Sequence, residues 1–202
     1  DFKFNLESIK KKLLDEYLMV LTLKLISHLV TGTQTVGGFY QKQFNLTKDK
    51  VKIIPNWINP ARFKVDKKGT EIRKALGFPL NKKIVLFLHR LAPRKGADLL
   101  PEIIAEATKK VKNIYFVIAG DGPLAQDLKF KIKNLKLEKI TNFVGAVPNI
   151  ETPKYFAVAD VFILPSRQEG FPRVLIEVMA MNLPFVSMDV AGIRDITTAS
   201  QQ

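Results

Sequence analysis

Cysteine is absent from all 202 residues, so neither a disulfide framework nor a thiolate metal centre can form. Histidine occurs only at His28 and His89, too few for a typical histidine-based metal cluster. No Asp-x-Asp pair is present, which removes a common way of holding a divalent ion beside a diphosphate. A bound metal is therefore not expected. No run reaches the roughly 18 consecutive apolar residues of a membrane-spanning helix. The start at Asp1 also lacks the basic, apolar, small order of a secretory leader. Acidic residues are scarce, 19 against 32 Lys and Arg, for a formal net charge of +13. Such a surface draws nucleic acid, anionic lipid or phosphorylated ligands. The lysines are scattered, however, with no arginine-rich tract and no interleaving of basic and aromatic residues, so nucleic acid is not the expected partner.

What is present is apolar material: 47% of the chain is hydrophobic, enough for one substantial core and something smaller. Residues 7–28 read as a helix, 30–33 as a short strand, 36–44 as a helix following a Gly-Gly break, and 51–55 as a strand ending in an Asn-Trp-Ile-Asn-Pro turn. From Lys68 onward the pattern alternates. Helices are predicted over 70–76, 97–110, 124–134, 152–159 and 173–181. Strands are predicted over 83–88, 114–119, 140–144, 161–164 and 185–188. Short apolar runs of this kind, separated by helices, describe an α/β domain with a doubly wound parallel sheet. We divide the chain into 1–50, a linker at 51–66, and the α/β domain at 67–202.

The densest chemistry lies in Glu169-Gly-Phe-Pro-Arg-Val-Leu-Ile-Glu177, where two carboxylates stand eight residues apart across a loop-to-helix junction. In an open α/β sheet, ligands bind outside the C-terminal ends of strands, facing helix starts. Pro172 suits the first helical position, which leaves the backbone N–H groups of Arg173, Val174 and Leu175 free to meet an anion. Gly170 permits close approach of a ligand. A phosphate together with carboxylates that accept from hydroxyls describes a nucleotide sugar. Two solvated glutamates on a surface loop are the competing reading of the same spacing.

Other strand ends supply further candidates. The loop His89-Arg-Leu-Ala-Pro-Arg-Lys-Gly96 offers Arg90 as a fork and Lys95 as a point charge for the same diphosphate. His89 reads as packing or bonding a backbone carbonyl rather than as a base. Gly120-Asp-Gly-Pro123 reads as a turn whose Asp121 caps the next helix. A base could lie against the backbone at Gly145. Trp57 reads as packing at the hinge, and Gly192 and Asp195 as a turn and a cap.

In order along the chain, Ile54-Pro-Asn-Trp-Ile58 with Arg62-Phe63, the 89–96 loop, Ala119-Gly-Asp-Gly-Pro123, Phe143-Val-Gly145, Pro165-Ser166 followed by the 169–177 motif, and Gly192-Ile-Arg-Asp195 resemble the donor-binding half of glycosyltransferase family 4, of GT-B fold. The likeness covers roughly 29–196. It implies a Rossmann-like domain joined to a remnant of the N-terminal acceptor domain, in a protein longer than this chain. It further implies retaining transfer from a UDP- or GDP-sugar to a glycan or lipid-linked acceptor, as in polysaccharide biosynthesis, with no further cofactor. By the same resemblance Arg90 and Lys95 stabilise the leaving diphosphate and Glu169 holds sugar hydroxyls. Glu177 binds the ribose, while Gly170, Phe171, Val174, Leu175 and Gly145 line the nucleotide. Three positions depart from the pattern: His89 and Trp57 stand where glycine is usual, and Asp195 where glutamate is. The fragment alone is expected to be inactive. A cytoplasmic location, with helix 7–28 on an anionic membrane face or packed on the acceptor domain, completes the expectation. A GT-B sugar-nucleotide epimerase and a non-catalytic module for anionic ligands remain open alternatives.

Overall fold

Two compact units divide the chain, residues 1–56 and 57–202. The computed structural model describes residues 6–65 and 69–197, with side chains from residue 14 onward. The side chains of the lysines at 10–12, and Lys67 and Lys68 altogether, lie outside the described residues.

In the first unit, helix α1 (Leu6–Leu25) is followed by strand β1 (Leu29–Thr31), helix α2 (Gln34–Phe44) and strand β2 (Val51–Ile53). β1 and β2 pair in parallel, Leu29 opposite Val51. The strand expected to reach residue 33 stops earlier because Thr33 is an N-cap, its Oγ1 accepting from the Val36 N–H at 3.2 Å. α2 therefore starts before the Gly-Gly pair, which does not break the helix. A Cβ on Gly37 would lie 2.5 Å from Ile53 Cδ1, so glycine here lets α2 sit directly on the strands. Residues 51–53, read from sequence as the start of a linker, belong to this small sheet.

The second unit carries helix α3 (Gly69–Ala75), strand β3 (Lys83–Leu88), helix α4 (Leu100–Lys110), strand β4 (Ile114–Ala119) and helix α5 (Ala125–Asn134). Strand β5 (Thr141–Gly145), helix α6 (Thr152–Val158), strand β6 (Val161–Leu164), helix α7 (Arg173–Ala180), strand β7 (Phe185–Ser187) and helix α8 (Ala191–Arg194) complete it. The last five strands form one parallel sheet in the order β5-β4-β3-β6-β7. The α4 region begins as a 3-10 turn over Ala97–Leu99, because Pro101 has no N–H to donate back along the helix.

Alternation along the strands sends side chains to two cores. Ile84, Leu86, Phe162 and Leu164 face Phe156 of α6 and Leu175 and Val178 of α7. Phe87, Phe116 and Ile118 face Leu100 and Ile104 of α4 and Leu128 and Ile132 of α5. Both faces are covered, which is why the strands read as unbroken apolar runs.

At the N-terminal edge of the sheet, Asp160 joins three elements. Its Oδ2 accepts from the Ile84 N–H and from Arg73 Nη2, each at 2.8 Å, and Lys83 Nζ donates to Oδ1 at 3.2 Å. Arg73 Nε also donates to the Val158 carbonyl at 2.9 Å. Burial pushes the Asp160 carboxyl up, but the bonds from Ile84, Arg73 and Lys83 outweigh it and leave the group below its ordinary value of 3.8. A lowered folded-state pKa adds stability above pH 3.8 that is lost as the pH falls through the folded value. Asp160→Ala should therefore lower stability in urea by about 2 kcal/mol at neutral pH, with the difference shrinking in acid. A variant indistinguishable from wild type at pH 7 would show that this cluster contributes nothing.

Candidate nucleotide-binding site

Strand order reverses between β3 and β6, so the chain connections of the two strands run in opposite directions across the sheet, the place where an open α/β sheet has its crevice at the C-terminal edge. The β3 loop carries Lys95 in a 3-10 turn over Pro93–Lys95, and the β6 loop carries Glu169. Lys95 Nζ donates to Glu169 Oε1 at 2.8 Å and Oε2 at 2.9 Å, and both residues are only 8% exposed. Gly96 is what allows the loops to come so close. Its φ is +67°, and a Cβ there would fall 1.8 Å from the Pro165 carbonyl oxygen. Arg167 adds a clamp: its backbone N–H reaches the Arg94 carbonyl at 3.0 Å, and its guanidinium forks onto Asp98 at 2.7 Å for each oxygen. The hydrogen bond from Arg167 holds the Asp98 carboxyl below its ordinary value.

The second carboxylate of the motif occupies a different wall. Glu177, one turn into α7, lines a cleft of about 320 Å³ with Leu88, His89, Val147, Asn149, Thr152, Arg173 and Val174. It is 9% exposed, and among the described residues no side chain or backbone group donates to it. Burial raises its pKa, opposed by the nearby charges of Arg173 and Arg62. Arg62, in the 3-10 turn over Pro60–Phe63, also donates to the Asn149 carbonyl at 3.4 Å.

His89 lines the Glu177 cleft and also feels the charge of Glu169. Its Nδ1 accepts from the Arg90 N–H at 2.7 Å, so the ring bonds a backbone donor and not the carbonyl expected. Burial, with help from Lys95 and Arg94 and against Glu169, lowers its pKa to about 4. The ring is neutral at physiological pH.

At the start of α7, Pro172 is the N-cap and not the first helical residue. The Leu175 N–H bonds the Pro172 carbonyl at 2.9 Å, and its side chain is fully buried in the core. Leu175 is thereby withdrawn from the anion site expected of it. The N–H groups of Arg173 and Val174 have no acceptor among the described residues, and both residues line the cleft. Arg90 and Gly170 are exposed, and Phe171 is half-buried. Gly145 ends β5, and its carbonyl accepts from the Gly120 N–H at 2.6 Å. It does not line the cleft, whereas Val147 does.

Three other expectations are corrected. Asp121 Oδ1 takes the Gly122 N–H at 2.7 Å and shapes its own turn, while Leu124 is the uncapped N-cap of α5. Gly192 lies inside α8, its N–H donating to the Glu169 carbonyl at 3.2 Å, so this helix steadies the Glu169 loop. Trp57 is 76% exposed and is not packed in a core. Asn149, Thr152 and Arg167 were missed from sequence, and Arg62 was read there only as part of the hinge motif. Each is a common polar residue outside the motif pair, and only the fold brings it to the crevice.

The comparisons agree with this architecture. Residues 68–202 match the profile of the family described as Glycosyl transferases group 1. The GPI3 subunit of phosphatidylinositol N-acetylglucosaminyltransferase from Saccharomyces cerevisiae (strain RM11-1a) is 29% identical over 180 residues, 89% of this chain and 39% of that protein. The putative teichuronic acid biosynthesis glycosyltransferase TuaC of Bacillus subtilis is 33% identical over 145 residues, 71% of this chain and 34% of that protein. The crystal structure of Anabaena Alr3699/HepE in complex with UDP and glucose superposes with a TM-score of 0.77 at 22% identity, over 88% of this chain and 48% of that one. The chain thus spans well under half the length of these two curated relatives.

Breaking the buried ion pair from one side leaves an uncompensated charge. Lys95→Met and Glu169→Leu should each lower stability by about 3–5 kcal/mol, and the double variant by much less than their sum. Urea unfolding of the four proteins measures this. Strict additivity would mean that the pair carries no coupling.

Proposed function

The chain belongs to the group 1 glycosyl transferases, and from that premise we propose that it is the donor-binding part of a retaining family 4 glycosyltransferase. The observation that carries this reading is Glu177: a carboxylate nine-tenths buried, without a donor among the described residues, facing a cleft at the strand-order switch. Burying an unpaired acceptor costs stability, and such groups concentrate at ligand sites.

The donor is a nucleoside diphosphate sugar with UDP or GDP as its carrier. Glu177 accepts from the ribose hydroxyls, and the free amides of Arg173 and Val174 receive a phosphate oxygen. As the bond between sugar and diphosphate breaks, charge grows on the diphosphate, where Arg90 and Lys95 meet it. Lys95 is paired with Glu169. A diphosphate that draws Lys95 away leaves the Glu169 carboxylate free to accept from sugar hydroxyls, so the two ends of the donor are recognised together. Gly170 and Phe171 border the sugar, and Gly145 lies toward the base.

Glu177→Ala should weaken UDP binding about tenfold, the loss of roughly 1.4 kcal/mol, while leaving the chain as stable as wild type or more so. Ligand-observed NMR with UDP, GDP and ADP, together with thermal unfolding, measures both. Equal binding of all three nucleotides by wild type and variant, abolished by salt, would favour a general anion-binding surface instead.

The acceptor is a glycan or a lipid-linked molecule, and the protein works on the cytoplasmic face of a membrane. The yeast relative's name, which contains phosphatidylinositol, supports this. So do Tyr17, Leu18, Leu21 and Leu25 of α1, which are exposed within this chain. The full-length protein is expected to float with vesicles containing anionic lipid and not with neutral ones. Failure to float with either would end the membrane reading.

A further inference from the structure

His89 is held in place by its backbone. Its N–H donates to the Ala119 carbonyl at 3.1 Å, and its own carbonyl lies so close to Gly120 that a Cβ there would fall 1.9 Å from the oxygen. The ring therefore projects from a fixed point at the end of β3, beside the switch in strand order. Its orientation determines its chemistry. Nδ1 is the acceptor of the Arg90 N–H, so a neutral ring carries its proton on Nε2. Among the described residues nothing accepts from Nε2, and that nitrogen is not sealed from solvent. The side chain lines the same cleft as Glu177, Arg173 and Val174.

That cleft already holds an anion-seeking set: an arginine and two free amides. The one carboxylate lining it among the described residues, Glu177, receives no bond from Nε2, so this further N–H, like the other donors, is left to a ligand. It requires an oxygen acceptor, and a phosphate supplies several. We propose that His89 is a phosphate-binding residue of the nucleotide site, donating its Nε2–H to a phosphate oxygen of the bound nucleoside diphosphate. This rests on the nucleotide reading of the cleft given above.

The neutral state matters to what the residue contributes. Lys95, Arg94 and Arg173 already concentrate positive charge around the crevice, balanced by Glu169 and Glu177. A protonated imidazole would add to that repulsion, whereas a neutral one adds a directed hydrogen bond without charge. Its contribution should accordingly be nearly independent of salt, unlike that of Arg90 or Lys95.

The test uses the whole 202-residue chain, whose two histidines make assignment simple: the imidazole signals lost in His89→Gln belong to His89. Long-range proton–nitrogen NMR at pH 7 should show the Nε2–H tautomer, with UDP and inorganic pyrophosphate moving Nε2 more than Nδ1. His89→Leu should weaken UDP binding about tenfold, and His89→Gln, which keeps an N–H donor, should recover most of that loss. Both variants must retain the wild-type circular dichroism spectrum. The proposal is overturned by an Nδ1–H tautomer, by an Nε2 that saturating UDP does not move, by a shift with uridine but not with pyrophosphate, or by equal UDP affinity in the leucine variant. If UDP binds through Glu177 while His89 stays silent, only this inference falls. If UDP, GDP and ADP all fail to bind wild type, the nucleotide reading falls and takes it along.

Discussion

Lys95 and Glu169 hold together the two loops that the sheet itself drives apart. β3 and β6 are neighbours, but their chain connections run in opposite directions across the sheet, so the segments leaving them have no shared ladder to align them. A buried ion pair, an arginine fork and the absence of a side chain at Gly96 do that work instead. The arrangement is expensive in isolation. Two charges removed from water recover their desolvation only through close, doubly bonded geometry, and a hydrophobic pair of similar volume would stabilise the fold as well or better. A pair of this kind at a ligand-binding edge makes sense when one of its members has a second partner to visit.

The other wall of the crevice carries the opposite kind of imbalance. Glu177 is buried and unmatched, its charge moderated at a distance by Arg62 and Arg173 and not by a hydrogen bond. Nearby stand two amides and an imidazole nitrogen that have no acceptor among the described residues. Acceptors and donors thus face one space without satisfying one another. The fold's stability is secured elsewhere, in the two apolar layers and in the Arg73–Asp160 cluster at the far edge of the sheet. Separating the stabilising edge from the ligand-binding edge lets the site keep groups that are satisfied only by a ligand.

Much of the α/β domain was legible in the sequence because its strands are buried on both faces and its helices on one. β3, β4 and β6 coincide with their apolar runs, and the Glu169–Glu177 spacing located the loop-to-helix junction at the sheet edge. Strand order was not legible, since alternation of strands and helices is compatible with several windings, and the crevice exists only because β6 lies beside β3. The errors share a cause in local hydrogen bonding. Thr33 ended a strand by capping a helix, Pro172 capped α7 instead of entering it, and Asp121 bonded its own turn. Arg167 and Asn149 were invisible because a lone polar residue in a chain of net charge +13 carries no signal until the fold gives it a neighbour.

The decisive measurement is a crystal structure of this chain soaked with UDP. The ribose hydroxyls should lie on the Glu177 carboxylate and a phosphate oxygen at the Arg173 and Val174 amides, with Lys95 turned from Glu169 toward the diphosphate. UDP bound elsewhere on the basic surface, with the Glu177 cleft empty, would contradict this assignment of the site.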